Sequence, residues 1–210
     1  MDYTPLEAAL YQDSKTAFSL LIDQYADQGI YSLALYHSGS FGYILPTLAT
    51  EQGLKQVVAS YQQSDYYRDY SEEELQTILR WSPCDSPFHD EDELPMDASE
   101  PVLQQLSEEV DDLCMTDPDW NAKIQRYWQD YMQVCLKVLH QLDQDGVFAA
   151  LPRESFTLNL LCGDQSEDER IKWAFQLNPE AVAEAYARDV KAAWDIEERH
   201  FEKLENSVDL

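Results

Sequence analysis

Apolar residues open the chain at helical spacing. Leu6, Ala9, Leu10, Ala17, Phe18, Leu21, Ile22 and Tyr25 recur every three or four positions, which predicts a helix over residues 5–27. Thr4-Pro5-Leu6-Glu7 reads as its capping box, with proline in the first turn, and Gly29 as its stop. The period then shortens. Ile30 to His37 and Phe41 to Pro46 are rich in β-branched and aromatic residues and flank Ser38-Gly39-Ser40, a hairpin signal. Thr50 can cap a helix carrying Leu54, Val57, Val58 and Tyr61, and Ser71-Glu72-Glu73-Glu74 is a second capping box before Leu75, Ile78 and Leu79.

Pro83, Pro87, Pro95 and Pro101 make most of residues 83–101 a loop. Ser99 starts a helix with Val102, Leu106, Val110 and Leu113 on one face. Glu108, Asp111 and Asp112 project from the other, with Glu109 at the border. Asp117-Pro118 opens a longer helix to Leu142, striped by Ile124, Tyr127, Tyr131, Val134, Cys135, Val138 and Leu142. Residues 156–162 read as a strand, followed by a turn at Gly163-Asp164-Gln165 and a helix capped at Ser166. Asn178-Pro179 ends that helix and begins the last, with Val182, Tyr186, Val190, Trp194 and Phe201 inward. The polar tail 202–210 is expected to fray. The fold class is α+β: a small antiparallel sheet (hairpin near 30–48, strand near 156–162) packed with amphipathic helices in one domain, 1–210.

Charge changes this picture at one place. Residues 81–122 contain no lysine or arginine and thirteen Asp or Glu, so this fifth of the chain carries about half of its net charge of -27. The pI of about 4.1 argues against nucleic acid and anionic membrane as partners, since both are held by Lys and Arg. A basic protein or a cation is what such a field favours. Hydrophobic residues still make up 44% of the chain, enough to bury a core, so the acidity does not imply global disorder. The cysteines, 84, 114, 135 and 162, form no C-x-x-C pair, and the N-terminus has neither a basic nor an apolar leader segment. A soluble, cytoplasmic protein is expected.

Catalytic motifs fail on spacing. His89-Asp90-Glu91-Asp92-Glu93 fits no defined calcium loop. Placing Gly146 at position six of an EF-hand puts Gln141 and Pro152 at the two terminal ligand positions. Gly39-Ser40-Phe41-Gly42 lacks the G-x-S-x-G spacing of a nucleophile elbow. His37, His140 and His200 show no metal-ligand spacing, and no cofactor is expected.

Three stretches resemble a known family: residues 30–48, residues 79–85 (LRWSPCD) and residues 156–179, which contain GDQS. The bacterial family catalogued as domain of unknown function 4303 is similar over roughly residues 5–185. Where a second tryptophan is usual after LRWSPCD, Ser86-Pro87-Phe88 stands here. The resemblance offers no reaction or catalytic residue. It implies a small cytoplasmic bacterial domain of a type often found in toxin–immunity neighbourhoods.

The expected function is therefore that of an immunity-type protein. Its acidic surface would bind a basic, nuclease-like toxin and set carboxylates where substrate phosphates would lie. The residues expected to carry it are Asp90, Glu91, Asp92, Glu93, Glu108, Asp111 and Asp112, with Tyr67, Tyr70 and Trp81 as anchors. The alternatives are a divalent-metal-dependent enzyme built on the clustered carboxylates and an adaptor protein.

Overall fold

The structure is a computed structural model that describes residues 1–89 and 94–208. Asp90, Glu91, Asp92 and Glu93 lie outside the described residues. The elements run α1 (Thr4–Tyr25), β1 (Ile30–His37), β2 (Ile44–Thr50), α2 (Glu51–Tyr61), α3 (Glu72–Leu79), α4 (Glu100–Thr116), α5 (Trp120–Gln144), β3 (Thr157–Leu161), α6 (Glu167–Leu177) and α7 (Glu180–Val208).

The α+β class holds, and the described strands form one sheet in the order β2-β1-β3. β1 and β2 make the expected antiparallel hairpin. The third strand differs from the expected all-antiparallel arrangement, because β3 pairs parallel with β1, Leu33 opposite Leu158 and Leu35 opposite Leu160. Four helices lie between β2 and β3, which gives the chain the long crossover that a parallel entry requires.

β1 is central and buried throughout. Leu33 and Leu35 enter the main core with Leu6, Phe18, Leu139 and Phe148. A register shift between Ile30 and Ser32 offsets the alternation, and Tyr31 joins a second cluster with Leu54, Val58, Leu75 and Leu79.

Both sheet edges are covered by side chains. On the β2 side, the loop after α3 docks against the strand: Ser86 Oγ donates to the Leu48 carbonyl at 2.8 Å and Thr47 Oγ1 to the Phe88 carbonyl at 3.2 Å. Gly53 permits this approach, since a Cβ there would lie 2.9 Å from the Phe88 ring. On the β3 side, Asn178 acts as a substitute strand. Its Oδ1 accepts from Leu158 N and its Nδ2 donates to Leu158 O, both at 2.8 Å. Covered edges resist pairing with a second chain.

The Ser71 capping box and the Thr50 cap form as expected, and Gly29 and Gly146 end their helices at positive φ. Two other expected caps do not form. At α1 the helix begins one residue early, Asp2 Oδ1 accepts from Thr4 N, and Glu7 pairs with Lys137 instead. At α4, Ser99 does not cap its own helix. Its hydroxyl and its backbone N–H donate to Asp13 Oδ2 at 2.8 and 2.7 Å, and Ala98 N adds a third bond. Asp13 is buried on α1, so α1 supplies the anion that α4 requires at its start.

α7 also departs from expectation. Ala183, Tyr186, Val190, Ile196 and His200 are buried, whereas Trp194 and Phe201 are 51% and 63% exposed. Tyr186 and Val190 are inward as expected and Val182 is half-buried, but the buried stripe then runs through Ile196 and His200 rather than Trp194 and Phe201. The helix continues through the polar tail to Val208.

Candidate functional site

α4 presents the acidic face that its periodicity implies. Leu103 and Leu106 are buried in the main core, while Glu108, Glu109, Asp111 and Asp112 are exposed. Among the described residues none of these four carboxylates has an ion-pair partner. Gln104 and Gln105 donate to Glu108 and Glu109 at 3.1 and 3.0 Å. The last turn holds no basic residue. Glu108 faces Asp111 and Asp112, and Glu109 faces Asp112, at i,i+3 and i,i+4 spacing, so like-charge repulsion on this face costs the helix stability.

Tyr67, Tyr70 and Trp81 belong to a different part of the molecule, packed with α2, α3 and α7. Trp81 stands edge-on to Tyr31 and Tyr186 at 5.3 and 4.8 Å, and its Nε1 donates to Asp189 at 3.3 Å. These contacts make Trp81 a joint between the second cluster and α7. Tyr67 lies against Tyr61, Tyr66 and Tyr70, and Tyr70 stacks on the buried His200 at 3.6 Å. His200 Nε2 meets Glu74 at 3.4 Å. Burial first, then the charge of Asp85, raises the Tyr67 hydroxyl's pKa. The most exposed aromatics here are Tyr66, at 71%, and Phe201 and Trp194 on α7.

Sequence reading missed a cleft of about 630 Å³ between α5, α6 and the carboxyl ends of the parallel strands β1 and β3. Its lining includes His37, Trp128, Cys162, Gln165, Lys172 and Trp173. His37 closes β1 and Cys162 follows β3 directly. Open crevices at the carboxyl ends of parallel strands are the usual place for a ligand in α/β sheets.

His37 is only 3% exposed, and burial pushes its pKa down to about 4, so the ring is neutral near pH 7. Its Nδ1 accepts from Gly39 N at 3.1 Å, which places the ring proton on Nε2. Gly39 sits at φ 76°, where a Cβ would press within 3.3 Å of the Cys162 sulfur. Trp128 stands edge-on to His37 at 5.2 Å. Gln165 also lines the cleft, and its Oε1 is buried without a hydrogen-bond partner among the described residues.

Among the described residues no group of three His, Cys, Asp or Glu is placed to hold a metal ion. The four cysteines are unpaired, Cys135 and Cys162 buried, Cys84 and Cys114 exposed. Among the described residues no helix is long and apolar enough to cross a membrane.

Fold and site together define an α+β domain with a mixed three-stranded sheet, an acidic helix face and a strand-end cleft. The family model of DUF4303, a domain of unknown function, matches residues 10–179, and the chain belongs to that family. No curated protein and no solved structure matches it.

Proposed function

We propose that this chain is an immunity-type binding protein that neutralises a basic, nuclease-like bacterial toxin through the acidic face of α4. The observation that supports the reading is the exposed set Glu108, Glu109, Asp111 and Asp112, which has no ion-pair partner among the described residues. These acids weaken the helix that carries them, so their presence is not accounted for by stability. The same face speeds encounter with a cationic partner and sets its orientation. The surface itself asks only for a basic protein, and the toxin is the partner that the family resemblance suggests.

Co-expression with the product of the adjacent gene tests this. Relief of that product's toxicity is expected, and so is its loss when Glu108, Asp111 and Asp112 become Gln, Asn and Asn. Toxicity that persists with the wild-type chain present counts against the role.

A further inference from the structure

The strand-end cleft shares no residue with α4. We propose that it is a second binding site, for an uncharged polyhydroxylated molecule of mono- or disaccharide size. Its volume of about 630 Å³ lies within the range of roughly 300–1,000 Å³ typical of small-molecule sites.

Two polar atoms at the cleft have no hydrogen-bond partner among the described residues. His37 is nine-tenths buried and more, lines the cleft, and has a protonated Nε2 with no hydrogen-bond partner. Gln165, half-buried as a residue, adds an acceptor, Oε1, that is itself buried. An acceptor buried without a partner is costly, so a ligand hydroxyl that reaches Gln165 Oε1 recovers that cost, and the His37 Nε2–H, open to the cleft, offers the ligand a fixed donor.

The lining selects against the other ligand classes. Asp130, Asp164 and Glu169 face the cleft against a single Lys172, which disfavours an anion. The first turn of α6, Glu167-Asp168-Glu169, cancels the attraction that its N-terminus would otherwise exert. A cation is disfavoured at the floor, where neutral His37 presents a proton and accepts nothing. Hydroxyl groups meet both needs: they accept from His37 Nε2 and Lys172 and donate to Gln165 Oε1 and the carboxylates. The carbon face of a sugar ring can lie on an aromatic, and Trp128, half-buried at the cleft wall, offers one.

The test is nuclear magnetic resonance of the full chain titrated with glucose, N-acetylglucosamine and maltose, read at the histidine ring nitrogens and tryptophan indoles. At least one sugar should give saturable shifts at His37 and Trp128 while the exposed His140 stays fixed. Gln165→Leu, in a surface loop, should weaken that sugar about tenfold, the loss of one buried hydrogen bond. His37→Asn should do the same, with circular dichroism reporting whether the variant folds. The α4 acid variant should bind sugar as the wild type does, which separates this site from the proposed function. No shift with any of the three sugars overturns the proposal. So do shifts at the cleft caused by phosphate, guanidinium or glycine alone, and sugar binding that ignores Gln165→Leu.

Discussion

Asp13 shows how one buried charge positions the acidic segment. One carboxylate oxygen takes three donors from Ala98 and Ser99, tying α1 to the start of α4. Asp13→Ala leaves the buried Ser99 N–H unpaired and the Ser99 hydroxyl with only the Met96 carbonyl, and should cost about 2–3 kcal/mol in chemical denaturation. Asp23→Ala, exposed on the same helix, should cost less than about 0.5 kcal/mol. The signal for Asp13 was present in the sequence. It falls on the apolar stripe between Leu10 and Ala17, a position that buries an acid and obliges it to find donors.

His37 gives a second residue-scale prediction. Its folded pKa of about 4 lies below the ~6.5 of an unfolded histidine. Between those values the unfolded chain binds a proton that the folded chain excludes. The neutral ring's contribution is therefore complete above about pH 6.5 and is lost as the pH falls toward 4. Between pH 7.5 and 5, wild type should lose about 2 kcal/mol more stability than His37→Asn, measured by denaturant unfolding. An equal loss in both would contradict the assignment. A histidine at the end of a strand gives no sign of this in sequence, since its burial comes from Trp128 and Tyr131 on a distant helix.

At the scale of elements, local rules worked where the whole motif was local. The Ser71 box closes within four residues and needs nothing beyond them. Thr4 and Ser99 carry comparable signals, yet Asp2 and Asp13 take over their donors, one from a neighbouring residue and one from another helix. On α7 the apolar residues with the greatest surface, Trp194 and Phe201, lie off the buried stripe, which small Ala183 and polar His200 share. The expected spacing holds at Tyr186 and Val190 and fails beyond them, where Ile196 and His200 take the inward positions. α4 carries the element's own prediction. Neutralising Glu108, Asp111 and Asp112 together should raise stability by about 0.5–1 kcal/mol, because it removes like-charge repulsion at i,i+3 and i,i+4 spacing. Thermal unfolding would check it, and a clear fall would mean that the acids are structural.

At the scale of the molecule, class and hairpin were legible because alternation and turn residues are local, whereas the partner of β3 is not. Parallel pairing with β1 joins segments more than a hundred residues apart and depends on where four helices carry the chain. The cleft follows from that pairing. Its walls come from residues near 37, 128–133 and 162–173, and no spacing rule links them. The acidic face of α4 was legible because one helix makes it alone.

The central claim is that this face binds a basic partner. The most direct measurement is a calorimetric titration of the chain with the purified product of the adjacent gene, at low and at high salt. A complex is expected at low salt that weakens at least about tenfold at high salt, with a similar weakening when Glu108, Asp111 and Asp112 are neutralised. A complex indifferent to both changes, or none at low salt, would contradict it.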